Sequence, residues 1–248
     1  RDGDDNPARV LSLVLPLLLM QNKATSSSPT CSARLSRALS AVMATTGHML
    51  STEQVQQVVA RDQEAVDIVF NMVKEQKTQT FALNEVSRFF RIPVSDSAAN
   101  GAALARLTER FLKMINEYQD VQPDWQFELL VSMLRNACEI CQLSQAHQSQ
   151  FRDSGGFVAI MTLLAIERKS HPTRQPIVVR EVLNVLFFML VGNRKSKRVF
   201  ESTIGYDQLK NLLLRTIGPS GPTRDVLWQL FDIAVETRHS GVEESPPI

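Results

Sequence analysis

FRDSGGFVAIMTLL (residues 151–164) and FESTIGYDQLKNLL (residues 200–213) are two versions of one pattern, 49 residues apart. Phe151 falls on Phe200, Gly156 on Gly205 and Phe157 on Tyr206, while Ile160, Leu163 and Leu164 fall on Leu209, Leu212 and Leu213. The pattern has a physical meaning. A short helix ends at the phenylalanine, a glycine makes a turn that a Cβ would obstruct, and an aromatic residue opens the next helix. That second helix buries the face carrying its paired leucines, and a longer third helix follows. Such a unit leaves an apolar face that only a neighbouring unit can cover, so the pattern calls for stacked repeats.

Outward from this pair the chain reads as helix after helix. Phe127, Leu130, Val131, Leu134, Cys138 and Cys141 make one apolar stripe at helical spacing, and Leu129, Met133 and Ile140 make a second. A helix with two stripes is sandwiched between neighbours. Ile177 to Val191 is apolar nearly all round and should be buried more deeply still. Upstream, Leu35, Leu39, Val42 and Met43 form a stripe, Ser51 and Gln54 form a capping box, and Ala65, Val69, Met72 and Val73 continue the periodicity. Leu104, Leu107, Phe111, Leu112 and Ile115 do the same. Breaks rich in Pro, Gly and Ser are expected at 22–29, 92–101, 168–176 and 217–222, with a polar tail at 239–248. The expected organisation is irregular helical repeats over 1–122, armadillo-like repeats over 123–237 and a frayed end over 238–248.

Composition excludes several classes of function. The 27 basic and 26 acidic residues nearly cancel, whereas a protein that neutralises phosphates needs a basic excess. Nucleic acid is therefore not an expected partner. Three cysteines in 248 residues make no disulfide framework and point to a reducing compartment, cytosol or nucleus. The apolar run Val10–Met20 is too short for a membrane span of about 20 residues and lacks the basic flank of a signal peptide, so it reads as a buried helix. A chain opening on Arg1 and not on Met reads as a piece of a much larger protein.

The residues 151–157, with Ile160, Leu163 and Leu164, resemble the second-helix signature of armadillo repeats, and Leu134 to Ala137 resembles the end of their third helix. Arg198 to Tyr206 (RVFESTIGY), Leu209 and Gly221 to Glu236 resemble the N-terminal helical region of BEACH-domain proteins, the group that includes neurobeachin and the autophagy-linked FYVE protein. The resemblance covers about 125–237. It implies an all-α, armadillo/HEAT-like right-handed helical solenoid. It further implies a protein–protein interaction scaffold in a large cytoplasmic protein of membrane trafficking or autophagy, with BEACH and WD-repeat modules elsewhere in that protein. The alternative is an armadillo peptide-groove adaptor outside the BEACH group.

No constellation reads as a catalytic or metal centre, and no enzyme activity, cofactor, metal or small-molecule substrate is expected. Cys138 and Cys141 lie on a core stripe, and no second pair completes a zinc site. His147, Asp153 and Ser154 are close in sequence but come without an oxyanion site. Arg194, Lys195, Lys197 and Arg198 read as a solvated loop between repeats, suited to acidic lipid or phosphate and hence to peripheral membrane contact. The remaining partner-binding candidates come from the resemblance. In armadillo arrays the third helices line a groove, and importin-like members hold peptides there with Trp-x-x-x-Asn. Aligning third helices gives Trp228 with Asp232, Ser132 with Asn136, and Glu181 with Val185. Trp228 and Asp232 should share a polar side, opposite Leu227, Leu230, Phe231 and Ala234.

Overall fold

A computed structural model of the chain describes residues 63–76, 79–91, 98–120, 123–166, 173–217 and 223–235. The expectations for Val10–Met20, the stripe at 35–43, the capping box at 51–54, the break at 22–29 and the tail fall outside these residues. Among the described residues the backbone is helix and turn, with no strand. The helices are α1 (Gln63–Val73), α2 (Gln79–Phe89), α3 (Ala98–Glu117), α4 (Asp124–Leu143) and α5 (Gln145–Asp153). They continue as α6 (Gly156–Ala165), α7 (Arg174–Leu190), α8 (Arg194–Thr203), α9 (Tyr206–Ile217) and α10 (Arg224–Val235).

The chain divides into two compact units between Phe111 and Leu112, within α3. In the first unit α1 packs on α2, and Val69, Phe70, Val73, Val86, Phe89 and Phe90 are buried. Phe90 meets Phe111 edge-on, with ring centroids 5.8 Å apart.

The second unit holds the repeat. Helices α5, α6 and α7 form one three-helix repeat, and α8, α9 and α10 form the next. Each helix packs on its counterpart, α5 on α8, α6 on α9 and α7 on α10, and α4 adds a further third helix against α7. The two stripes of α4 are both buried, from Phe127 through Cys141. In α7, Val178, Val182, Leu183, Val185, Leu186 and Met189 are wholly enclosed. Helix α7 begins at Arg174, so the expected break at 168–176 is shorter than the sequence suggests. Pro176 sits in the first turn, where its missing N–H has no intrahelical carbonyl to meet.

The turn that opens each second helix departs from the expected alignment by one residue. The left-handed residues are Gly155 (φ 82°) and Gly205 (φ 77°), not Gly156 and Gly205. Gly156 is needed for another reason: a Cβ there would lie 2.6 Å from the Phe151 carbonyl oxygen. The core keeps the 49-residue register across this difference, because Phe151 and Phe200 are both fully buried. Ile160 and Leu209 are buried together with Leu164 and Leu213. Phe157 of the first repeat packs edge-on against Phe200 of the second at 5.2 Å, and Phe200 packs on Tyr206 at 5.4 Å.

Candidate interaction surface

Along the third helices the chain repeats every 48 residues: Ser132, Arg180 and Trp228 occupy one position, and Asn136, Asn184 and Asp232 another. Exposure follows that register on α4 and α7, where Ser132, Asn136, Arg180 and Asn184 are all half-buried at the solvent edge. Glu181 and Val185, which alignment by spacing placed in the groove row of α7, are instead buried. Burial of the carboxylate is offset by donors. Arg135 of α4 reaches Glu181 Oε1 through Nε and Nη2, each at 3.3 Å, Arg180 Nη2 donates to the same oxygen at 2.8 Å, and Asn184 Nδ2 donates to Oε2 at 3.4 Å. Glu181 is thus a tie between α4 and α7. From the next helix Gln229 Nε2 donates to the Arg180 carbonyl at 3.2 Å and to Asn184 Oδ1 at 3.1 Å. The result is a polar ladder across three helices. Arg135, Arg180, Asn184 and Gln229 belong to it without having been singled out from the sequence, although the 48-residue spacing was there to find them.

Asn136 turns its amide onto the Ser132 carbonyl of its own helix at 3.0 Å. At the near end of the row Arg174, itself buried, pairs with Asp124 of α4 and lies 4.9 Å over the Phe127 ring.

On α10 the inward side is rotated from the expected one. Trp228 is exposed as anticipated and meets Phe231 edge-on at 6.0 Å. Asp232, however, is buried, while Leu227 and Phe231 are exposed. The physical reason is that α10 turns Val226, Gln229 and Asp232 toward the interior, so its more apolar side looks outward.

The basic run also differs from expectation. Residues Arg194 to Arg198 are the first turn of α8 and not a loop. Asn193 caps that helix, its Oδ1 accepting from the Ser196 N–H at 3.0 Å, and its Nδ2 donates to Gln148 Oε1 of α5 at 3.1 Å. Ser196 is buried beneath the run and receives Arg152 Nη1 at 3.3 Å. Arg194, Lys195 and Arg198 project into solvent, and Lys197 is half-buried. Their charges stand at the positive end of a helix, an arrangement that costs stability.

Other candidates settle into structural roles. His147 Nδ1 lies 2.8 Å from the Oγ of Ser144, the residue capping α5. Asp153 takes both Arg152 bonds, at 2.7 and 2.9 Å, which hold its carboxyl below the usual range, chiefly through those hydrogen bonds. Ser154 Oγ accepts from Gln150 at 3.1 Å. The three are therefore occupied separately. Cys138 and Cys141 are buried, and burial, with the neighbouring Cys138, pushes the Cys141 thiol well up. Among the described residues no helix is long and apolar enough to cross a membrane.

A family model described as "Neurobeachin: Neurobeachin alpha solenoid region" matches residues 14–246. No curated protein and no solved structure matches the chain.

Proposed function

The chain belongs to the neurobeachin alpha-solenoid family, and from that membership we propose that it is a protein–protein interaction scaffold, part of a large cytoplasmic BEACH-type protein acting in membrane trafficking or autophagy. Its role in this reading is contact and not catalysis, with other proteins as partners and the membrane met at most peripherally. One observation carries the proposal. The third helices, packed one on the next, present a polar edge in register, Ser132 and Asn136, then Arg180 and Asn184, ending at the exposed Trp228. Arg180 gives one N–H to Glu181 and has further N–H groups on its guanidinium, which this bond holds in place, so it can offer directional hydrogen bonds at little entropic cost, and the exposed tryptophan in the same row offers an anchor.

The basic turn of α8 is the competing surface, because Arg194, Lys195 and Arg198 would favour acidic lipid. The experiment uses the purified chain carrying a photoreactive residue at Arg180 or, separately, at Lys195, incubated with cytosol with and without liposomes. Partners that crosslink from position 180 and are recovered without liposomes support the proposal. Recovery that depends on liposomes and crosslinks only from position 195 contradicts it.

A further inference from the structure

Two arginines from neighbouring third helices converge on one buried atom. Arg135 of α4 reaches Glu181 Oε1 sideways, through Nε and Nη2, and Arg180 of α7 reaches the same oxygen through Nη2 alone. The Glu181 side chain is 5% exposed, whereas those of Arg135 and Arg180 are 59% and 41% exposed. The oxygen is thus a peg that holds two guanidinium groups side by side at the solvent edge. Each keeps donors to spare: Nη1 of Arg135, and Nε and Nη1 of Arg180, meet no acceptor among the described residues, and neither arginine pairs there with a second acid. The acceptors of this stretch are already engaged. Glu181 Oε1 receives both arginines and Oε2 receives Asn184 Nδ2, while Asn184 Oδ1 receives Gln229 and the Ser132 carbonyl receives Asn136. What the edge offers between α4 and α7 is donors that carry positive charge.

We propose that Arg135 and Arg180 clamp a carboxylate of an acidic peptide, so that the partner taken by this edge is an Asp- or Glu-bearing segment of another protein. The inference rests on the reading of the third-helix edge as an interface. An ionised carboxylate has acceptors only, and its two oxygens match planar guanidinium forks. Charge selects it over a phosphate. Two arginines above one glutamate leave a single positive charge, which one carboxylate balances. A phosphoserine carries about −1.5 to −2 and would set the excess against Glu181. The peg also favours binding, because Glu181 has already restricted side chains that would otherwise lose rotamer freedom on meeting a ligand. Selectivity belongs to the clamp and not to the whole chain, since 27 basic and 26 acidic residues give an acidic peptide no general attraction.

The probes are short fluorescein-labelled peptides that differ only in a central run of Glu, of Gln or of phosphoserine, titrated with the full chain at about 50 mM salt, where screening is modest. By fluorescence anisotropy the Glu peptide should bind at least tenfold more tightly than the Gln peptide. Arg135→Gln and Arg180→Gln should each weaken it at least fivefold with an unchanged circular dichroism spectrum. Arg135→Lys and Arg180→Lys keep the charge over Glu181 and lose the fork; they guard against a folding defect and should still weaken binding at least threefold. Serine at Arg194, Lys195, Lys197 and Arg198 should leave the affinity within twofold. A Glu peptide bound no better than the Gln peptide overturns the proposal. So does a phosphoserine peptide bound more tightly than the Glu peptide, or Glu binding lost in the serine variant and kept in the arginine variants. A photoreactive residue at Ser132, which spares both arginines, separates the clamp from the interface in cytosol. Partners captured there whose yield neither Gln substitution lowers overturn the acidic clamp and leave the interface standing, whereas no capture at all removes the interface and the clamp with it.

Discussion

Gly205 shows how much of this architecture rests on single positions. Its φ of 77° lies in the left-handed region, where a Cβ is penalised and a β-branched side chain most of all. Gly205→Val should destabilise the second repeat by about 1–3 kcal/mol, read from chemical denaturation. A loss below about 0.3 kcal/mol would show that the turn tolerates another conformation. Glu85 makes the opposite kind of prediction. It is buried on α2, Arg88 holds its Oε1 at 2.7 Å, and its Oε2 is buried without a hydrogen-bond partner. Desolvation raises its pKa against the counter-pull of Arg88. A carboxyl whose folded pKa is raised contributes stability that is present below its unfolded pKa and lost as pH rises through the folded value. Glu85→Gln should therefore be neutral or stabilising at pH 7 and should flatten the change in stability above about pH 4.3, the ordinary Glu value. A loss greater than about 1 kcal/mol at pH 7 would mean that the Arg88 pair outweighs burial.

At the scale of the helix, caps and register decide what periodicity leaves open. The double stripe of α4 and the enclosed α7 are legible because apolar residues fill their buried positions, Arg174 and Glu181 of α7 excepted. The basic turn of α8 was not, since four cations in five residues look solvated whether in a loop or a helix. Asn193 is the signal that settles it: an asparagine three residues before Ser196 is a helix start. The rotated inward side of α10 has a different cause. Helix α10 packs on α7, and the bonds of Gln229 to the Arg180 carbonyl and Asn184 Oδ1 go with a side that carries Val226, Gln229 and Asp232 inward while Leu227 and Phe231 look outward. The 49-residue pattern points one residue past the left-handed turn in the first repeat, because Gly155 and Gly156 are adjacent and pattern alone does not say which of them is left-handed. The helix-scale prediction concerns Asn193→Ala, which removes the cap of α8 and leaves Gln148 short of a donor. It should cost about 2 kcal/mol. Asn193→Ser, which keeps a capping oxygen and loses the Gln148 bond, should recover about half. Equal losses for both variants would place the energy in the Gln148 contact alone.

For the whole molecule, the fold class is readable from two fourteen-residue segments, because repetition multiplies a weak local signal, and the family from Arg198 to Tyr206, Leu209 and Gly221 to Glu236. The surface was only partly readable. Trp228 and Asn136 stand at the solvent edge where the groove reading put them, but Glu181 and Asp232 are buried, and the guanidinium and amide at Arg180 and Asn184 were hidden by a register of 48 against the 49 of the first and second helices. If the third-helix edge is where partners bind, its contacts are directional and partly desolvated, and losing them should act on dissociation. The α8 turn offers exposed charges that salt screens, and these should act on encounter. The decisive measurement is the dissociation rate of a recovered partner, at physiological salt, from Trp228→Ala and from a variant with Ser at Arg194, Lys195, Lys197 and Arg198. The scaffold account predicts dissociation at least tenfold faster for Trp228→Ala, with an unchanged circular dichroism spectrum, and a near-parental rate with weaker salt dependence for the serine variant. Abolished binding in the serine variant together with parental dissociation in Trp228→Ala would contradict it.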